Sequence, residues 1–179
     1  MSSTAIVVDH LRGGLRCGEP QRSGPLTLVP LFHSGAAASY RLFAEALAAG
    51  RVTVEEVGAG SVPELALVNR GGEAVLVIEG EVLSGLRKTR IVNASVLVPP
   101  RTRLNLPVSC VEAGRWGAAQ PAVRGEIHAS PRLREAKNQG VRREARAGGG
   151  YRSDQGAVWR EVEDRLAALE GLIRPKSIA

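Results

Sequence analysis

The residues best suited to chemistry lie between Val77 and Trp116, where charged and aromatic side chains interrupt short apolar segments. Glu79 and Glu81 flank a glycine, and on an extended strand both carboxylates point to the same face. Two such carboxylates can share a proton, bind a cation or act as general acid and base. A pair of solvated surface carboxylates is the alternative, and the sequence leaves both interpretations open.

A group of cations follows these carboxylates. Arg87, Lys88 and Arg90 come shortly after a glycine, and the chain carries no acidic residue from position 82 to position 111. A glycine turn followed by clustered cations suits a phosphate or carboxylate group, although the spacing is not that of a Walker loop. Pairing of these cations with Glu79 and Glu81 is the alternative, and the two interpretations are compatible.

A third cluster contains Cys110, Glu112, Arg115 and Trp116. Cys110 would act as a nucleophile only beside a base, and no histidine stands at a recognisable dyad spacing from it, so a buried, inert thiol is the usual outcome. Glu112 and Arg115 can orient a polar ligand while the indole of Trp116 stacks on a base, so the cluster predicts a pocket wall. An ordinary core position for Trp116 is the alternative.

The sequence identifies no cofactor. Its three histidines and two cysteines are scattered without ligand spacing, so no metal site is predicted. A Mg²⁺ held by Glu79, Glu81 or Glu112 stays open. Asp154-Gln155, at the start of the last predicted helix, offers backbone amides to an anion, but an ordinary capped helix is the favoured interpretation.

Composition limits the function classes. The chain has 179 residues, of which 44% are hydrophobic, and this is enough for one domain with its own core. A net charge of +6 and a pI of about 10.1 favour anionic partners without choosing among nucleotides, phosphates and nucleic acid. The two cysteines, together with the lack of an apolar run near the ~18–20 residues that span a bilayer, predict a cytoplasmic protein with no membrane partner.

The elements that must position these residues are mainly strands. Apolar and polar residues alternate between Gly and Pro turns, which predicts a mostly antiparallel β core, sandwich or barrel-like. The turn at residues 69–72 (Asn-Arg-Gly-Gly) predicts a hairpin between the strands on either side of it. The predicted strands are Ala5–Val8, Leu26–Phe32, Val52–Val57, Leu65–Val68, Ala74–Ile78, Glu81–Leu83, Arg90–Val98 and Leu104–Val111.

Two helices are predicted. The first covers residues 40–49, because Ser39 suits the N-cap and Gly50 the position after the last turn. The second runs from Asp154 to about Leu169, capped by Ser153 and ended by Gly171. Between them, residues 131–147 predict a mobile, basic segment that is helical only in part. The face of the first helix predicted to be buried contains Leu42, Phe43, Ala46 and Leu47, and that of the second contains Val158, Val162, Leu166 and Leu169.

The fold class is therefore α+β, with a mostly antiparallel β core, a short helix in the N-terminal half and an amphipathic helix at the C-terminal end. The predicted organisation is an N-terminal extension at residues 1–25, a single domain at 26–170 and a tail at 171–179.

Motifs along most of the chain resemble those of one family, the ARG and Rhodanese-Phosphatase-superfamily-associated Protein domain, over residues 26–170. This resemblance implies a ligand context linked to ADP-ribose and NAD-derived metabolism, with no established catalytic residues. It also adds Asn93 to the candidate ligand-binding residues. The motifs are Glu79-Gly80-Glu81, Arg90-Ile91-Val92-Asn93, Pro107-Val108-Ser109-Cys110-Val111-Glu112-x-Gly114-Arg115-Trp116, the most specific of them, and Ser153-Asp154-Gln155-x-x-Val158-Trp159.

The chain departs from this family in two ways. Members usually carry Gly-Ala-Lys-Gln-Asn-Arg where residues 85–90 read Gly-Leu-Arg-Lys-Thr-Arg, so two side-chain amides are replaced. Members also usually continue beyond the last helix into a second sheet-forming half. The chain is therefore expected to be truncated, with its site left incomplete or completed by a second chain in a homo-oligomer.

Three functions follow from these observations. The first is a binding module for an anionic small molecule, ADP-ribose or a related nucleotide, in which the cations after Gly85 hold phosphate. The second is a hydrolase of the same ligand class with a Glu general base, so enzymatic activity stays undecided. The third, an interaction or nucleic-acid-binding protein acting through residues 132–152, ranks last because few aromatics interleave with the cations. The catalytic candidates are Glu79, Glu81 and Glu112, and the ligand-binding candidates are Arg87, Lys88, Arg90, Asn93, Cys110, Arg115 and Trp116.

Overall fold

A computed structural model describes residues 14–34, 39–58, 63–84, 86–112, 123–124 and 128–173. The chain divides into two compact units, residues 1–38 and residues 39–179. The predicted strand Ala5–Val8 and the candidate site residues Arg115 and Trp116 lie outside the described residues. The domain bounds given above stay a prediction.

The first unit contains two small antiparallel strand pairs. These are β1 (Leu15–Cys17) with β4 (Leu31–His33), and β2 (Gln21–Ser23) with β3 (Leu26–Leu28). The prediction of one strand over Leu26–Phe32 was wrong, because the segment breaks at Val29-Pro30. Proline fixes its own φ and offers no N–H to a strand ladder, so it ends the pairing there.

An antiparallel sheet of six strands carries the candidate residues Arg90 and Cys110 and confirms the predicted α+β class. Its strands are β6 (Val52–Glu56), β7 (Glu64–Asn69), β9 (Val82–Ser84), β10 (Arg90–Val92), β12 (Thr102–Cys110) and β13 (Val123–Arg124). They lie in the order β13-β9-β10-β12-β7-β6, and every neighbouring pair is antiparallel. Arg90 thereby stands opposite Cys110, so two candidate residues twenty positions apart become neighbours.

A second sheet contains β5 (Tyr40–Leu42), β8 (Ala74–Val77) and β11 (Val96–Val98), with β5 parallel to β8. The predicted hairpin was therefore wrong, since β7 and β8 belong to different sheets. Asn69 explains the outcome: its Nδ2 donates to the carbonyl oxygens of Glu73 at 2.8 Å and Pro99 at 2.9 Å, and its Oδ1 accepts from the Gly71 amide. These bonds fasten the turn to the β11–β12 connection.

The predicted single strand Arg90–Val98 is also divided. β10 ends at Val92 and β11 begins at Val96, so the chain passes from one sheet to the other between them. Asn93 lies in this connection, where its backbone amide donates to the carbonyl oxygen of Pro107 at 2.9 Å. Local apolar patterning cannot reveal such a transfer, because both halves read as ordinary strand.

Helix α1 (Phe43–Ala48) is shorter than predicted. Tyr40–Leu42 belongs to β5 instead, so Ser39 is not its N-cap and the side chain of Leu42 is exposed. Phe43 and Ala46 are buried as predicted. The pairing of β5 with β8 satisfies the backbone groups that an extra helical turn would have used.

Helix α2 (Pro131–Arg146) is continuous, so the prediction of a mobile, partly helical segment was wrong. Ser130 caps it by accepting from the Leu133 amide, and Pro131 suits the first helical position. Gly140 lies against the backbone amide of Asp154, and a Cβ there would clash with it. Contacts with the following segment therefore hold α2 in place despite its polar composition.

Helix α3 (Gln155–Ile173) is capped by Asp154, whose Oδ1 accepts from the Ala157 amide at 3.0 Å. The predicted cap Ser153 has another partner, described below, and the helix continues past Gly171. Val158 is fully buried, whereas Leu166 and Leu169 are exposed. The predicted apolar face is thus covered only near the start of the helix.

The hydrophobic core lies between the two sheets and α1. Aliphatic side chains dominate it, as the 3% aromatic content requires. Its fully buried members include Phe43, Leu65, Leu67, Val77, Leu83, Val92, Val98 and Leu106.

Candidate functional site

A buried lysine on α2 meets the first candidate carboxylate. The Nζ of Lys137 lies 2.9 Å from Glu79 Oε1, and it donates to the carbonyl oxygen of Asn93 at 2.9 Å and to Asn138 Oδ1 at 2.7 Å. Lys137 is 0% exposed. Arg134 donates from Nε to the other oxygen of Glu79 at 3.0 Å. A buried ammonium requires a counter-charge and acceptors, and Glu79 supplies the counter-charge.

The turn that carries Glu79 is shaped by Gly80. Its φ is +88°, and a Cβ at this position would lie 2.7 Å from Arg134 Nε, so only glycine leaves room for the arginine. Residues 79–80 form a turn and not a strand, so the alternation that predicted a shared face for Glu79 and Glu81 does not hold there. Glu81 is buried beside the same turn, with its carbonyl oxygen accepting from the Val92 amide.

The ion pair shifts both pKa values. Burial by itself raises the pKa of Glu79, but the hydrogen bonds and charges of Arg134 and Lys137 outweigh it and lower that pKa. Burial lowers the pKa of Lys137, and its contact with Glu79 only partly opposes this effect. A carboxylate with a lowered pKa is a weak proton acceptor, so the geometry favours a structural role for Glu79.

The lowered pKa of Glu79 predicts that the protein loses stability in acid. Because its folded pKa lies below the ordinary 4.5, the carboxylate contributes stability above that pH, and the contribution disappears as the pH falls through the folded value. We expect the free energy of unfolding, measured with urea between about pH 6 and pH 3, to fall more steeply in the native protein than in Glu79→Gln. Parallel curves would contradict this assignment.

Asn93 links the six-stranded sheet to α2, through Lys137, and to the segment between α2 and α3. Its Oδ1 accepts from the hydroxyl of Ser109, and its Nδ2 donates to the carbonyl oxygen of Tyr151 at 3.0 Å. Ser109 and Ser153 also share a hydrogen bond. Asn93 and Ser109 are buried, so these groups satisfy one another away from water. We call Glu79, Asn93, Ser109, Lys137 and Ser153 the interior polar network.

Gln155 extends this attachment along β12. Its Oε1 accepts from the Cys110 amide at 2.9 Å, and its Nε2 donates to the Cys110 carbonyl oxygen at 2.6 Å. The side-chain amide of Gln155 therefore binds both backbone groups of Cys110, as the backbone of a neighbouring strand would. The Cys110 thiol is buried and donates to the carbonyl oxygen of Glu112 at 3.1 Å. The sequence favoured an ordinary capped helix at Asp154-Gln155, and the structure has that cap, with the Gln155 side chain bound to the backbone of β12.

Arg90 is a buried guanidinium on the central strand β10. It is 0% exposed, and its Nη1 donates to Cys110 Sγ at 3.8 Å. Its Nη2 forms an ion pair with Glu56 Oε2 at 3.8 Å, a distance too long for a hydrogen bond. Among the described residues, its Nε and Nη2 have no hydrogen-bond partner, and neither has Glu56 Oε2. Buried arginine donors normally find acceptors, so this side chain is chemically unusual.

The other predicted cations and carboxylates lie around the same strand. Arg87 donates from its backbone amide to Glu56 Oε1 at 3.2 Å, so the carboxylate of Glu56 contacts both the Arg87 backbone and the Arg90 guanidinium. Glu112 accepts from Thr89 Oγ1 at 2.8 Å, which holds the end of β12 to the loop. Lys88 is buried and Arg87 is half-buried. We call residues 86–90 the cation loop.

The structure thus brings the predicted residues into two neighbouring groups on β10 and β12. Arg90, Cys110 and Glu112 belong with the cation loop, whereas Glu79 and Asn93 belong to the interior polar network. Sequence reasoning missed two central participants, Lys137 and Glu56. Lys137 shares a helical face with Gly140 and Val141, and a lysine on a face of small and apolar residues could have indicated burial.

Within the part of the chain that the structure describes, no group of three or more His, Cys, Asp or Glu side chains is arranged to hold a metal ion. Among the same residues, no helix is both long and apolar enough to cross a bilayer.

Comparison with known proteins gives one result. A sequence model of the ARG and Rhodanese-Phosphatase-superfamily-associated Protein domain matches residues 14–175. No curated protein and no solved structure matches the chain.

Proposed function

We propose, from the premise that this chain belongs to the ARG and Rhodanese-Phosphatase-superfamily-associated Protein domain family, that it binds an anionic small molecule through its cation loop. The ligand class is ADP-ribose or a related nucleotide, as the family's implied link to ADP-ribose and NAD-derived metabolism suggests. The composition predicts that this binding takes place in the cytoplasm, where both free cysteines stay reduced.

The observation that carries the proposal is the incomplete hydrogen bonding of the Arg90 guanidinium, which is paired with Glu56 by charge only. Two of its nitrogens donate to no described group although the side chain is fully buried. Leaving a buried charged donor unsatisfied costs several kcal/mol, about as much as breaking a buried ion pair. Two phosphate oxygens, one accepting from Nε and the other from Nη2, would remove this cost and form a bidentate contact.

Glu56 and Cys110 set the direction of this arginine. The carboxylate of Glu56 faces Nη2 from one side, and the thiol of Cys110 accepts from Nη1 on the other. Because Glu56 also accepts from the Arg87 backbone amide, it holds the Arg87 backbone and the Arg90 guanidinium at fixed positions relative to each other. Such preorganisation lowers the entropy cost of binding an anion.

A hydrolase acting on the same ligand class remains the second proposal. The ion pairs of Glu79 make it a weak base, so Glu81 and Glu112 are the better candidates for that role. Glu112 already accepts a hydrogen bond from Thr89, which would fix its orientation. Turnover of ADP-ribose that survives both Glu81→Gln and Glu112→Gln would remove this alternative.

Calorimetric titration with ADP-ribose tests the binding proposal. We expect saturable binding in the native protein and affinity lowered by about tenfold or more in Arg87→Ala and in Arg90→Lys, since each loses charge-assisted hydrogen bonds. Arg90→Lys keeps the charge but not the bidentate fork. Titration with uncharged adenosine should give much weaker binding.

The matched control is Arg41→Ala/Arg103→Ala, which removes two exposed cations that pair with Glu73 and Glu55 elsewhere on the surface. It should bind ADP-ribose like the native protein. Equal binding by native protein and the loop variants, or equal affinity for adenosine and ADP-ribose, would refute the proposal. Circular dichroism of each variant shows whether a loss of binding reflects a loss of fold.

A further inference from the structure

Helix α2 has a second, unexplained feature on the side opposite Lys137. Gln139, Arg142, Arg143 and Arg146 follow one another at helical spacing on its solvent face, and all are exposed. Together they line an open groove of about 410 Å³. Arg143 also borders an adjoining depression of about 150 Å³, which includes Arg152 from the segment after the helix.

Three arginines of this face have no ionic partner among the residues that the structure describes. No described carboxylate forms an ion pair with Arg142, Arg143 or Arg146. Several other surface arginines do form such pairs: Arg41 with Glu73, Arg70 and Arg103 with Glu55, Arg134 with Glu79, and Arg165 with Glu161. Exposed Arg132 and Arg160 form none that is described, so the α2 face is distinguished by three such arginines that lie close together. Cations in the last turn also suit the helix dipole, but that effect alone does not require three of them.

An exposed aromatic residue lies in the segment that follows α2. Tyr151 is 55% exposed, and its carbonyl oxygen accepts from Asn93 Nδ2, so its backbone is fixed to the sheet while its ring faces solvent. Its neighbour Arg152 shares a depression with Arg143, which brings this segment alongside the basic face. The carboxylates of Glu144 and Asp154 border that depression, so it has mixed charge. The groove lined by Gln139, Arg142, Arg143 and Arg146 has only cationic and neutral side chains.

We propose that this face of α2, together with Tyr151, binds single-stranded nucleic acid. Guanidinium groups without a described carboxylate partner complement a row of phosphodiesters, and the exposed ring of Tyr151 on the following segment offers a stacking platform for a base. Acidic polypeptide would satisfy the charge but would leave the ring without a role. The cations involved are distinct from the cation loop, so this binding is independent of the small-molecule site.

Fluorescence anisotropy with labelled oligo(dT) tests the proposal on the full chain, purified free of nucleic acid. We expect Arg142→Gln/Arg143→Gln/Arg146→Gln to weaken binding by about tenfold or more near 100 mM salt, and to flatten the slope of log K against log[salt] by about 2. Tyr151→Ala should weaken binding by about fivefold or more through lost stacking, and Tyr151→Phe should not. ADP-ribose affinity should be unchanged in all of these variants.

The control is Arg41→Gln/Arg70→Gln/Arg103→Gln, which removes the same amount of charge from arginines that already have partners. It should weaken oligo(dT) binding by less than about threefold. The proposal is overturned if the two triple variants lose affinity equally, if Tyr151→Ala binds like the native protein, or if poly-glutamate competes as strongly as oligo(dT).

Discussion

Replacing Glu79 with glutamine is expected to lower the free energy of unfolding by about 3 kcal/mol at neutral pH. The reason is that Lys137, which is 0% exposed, would lose its only described carboxylate partner while keeping its neutral acceptors. The loss has an upper limit of about 5 kcal/mol, since Lys137 can instead give up its proton at that cost. Chemical denaturation followed by circular dichroism measures the change.

Two further variants separate the ion pair from other effects. Arg134→Gln removes the more exposed partner of Glu79 and should cost no more than about 1 kcal/mol. Glu79→Gln/Lys137→Met should recover much of the stability lost in the single variant, because it no longer buries an uncompensated charge. A double variant as unstable as the sum of its single changes would show that the two side chains do not act together.

Replacing Asn93 with alanine is expected to destabilise the protein by about 3 kcal/mol. The change leaves the Tyr151 carbonyl without its amide donor and removes the buried acceptor of the Ser109 hydroxyl, whose remaining described partner is Ser153. Ser95→Ala is the matched control: Ser95 lies in the same connection between β10 and β11, but its single hydrogen bond to the Glu79 amide is exposed. That variant should cost less than about 1 kcal/mol.

Hydrogen exchange shows whether Asn93 acts by attaching the helices. We expect the amides of α2 and α3 in Asn93→Ala to lose protection before those of β7 and β12, because the side chain joins the helical segment to the sheet. Uniform loss of protection would instead indicate that Asn93 supports the sheet itself. An unfolding free energy within about 0.5 kcal/mol of the native value would refute the assignment.

These expectations divide α2 into two faces with different tasks. The inner face carries Lys137 and Gly140, which lock the helix to the turn at Gly80 and to the start of α3. The outer face carries Arg142, Arg143 and Arg146, which contribute no described ion pair to the fold. Variants of the inner face should therefore change stability, and variants of the outer face should change ligand binding.

Several elements were predictable because their signals are local. Glycine, proline and alternating apolar residues identified the strands at Val52–Glu56, Glu64–Asn69 and Thr102–Cys110 to within two residues or so at each end. The apolar spacing after Asp154 identified the last helix. The motif containing Ser109, Cys110 and Glu112 indicated family membership, and the family comparison confirmed it.

Other elements were not predictable, because long-range contacts override local pattern. The turn at Asn69 reads as a hairpin, yet its side chain binds carbonyl groups about thirty positions away and sends β8 into another sheet. The segment 131–147 reads as solvated and mobile because of its charges, but Lys137 finds a buried carboxylate more than fifty positions earlier. Neither partner can be inferred from neighbouring residues.

The amino-acid sequence alone determined the fold class, the approximate positions of most strands and the concentration of polar residues between Glu79 and Glu112, since these depend on residue type and spacing. Only the tertiary structure decided which charged groups pair and how completely each is hydrogen-bonded. Glu79 pairs closely with Lys137 and Arg134, whereas Arg90 has a longer ion pair with Glu56 and two donors that no described group accepts. The physical reason is that burial and the distance to an opposite charge set the cost of each ionised group, and both depend on how distant segments pack together.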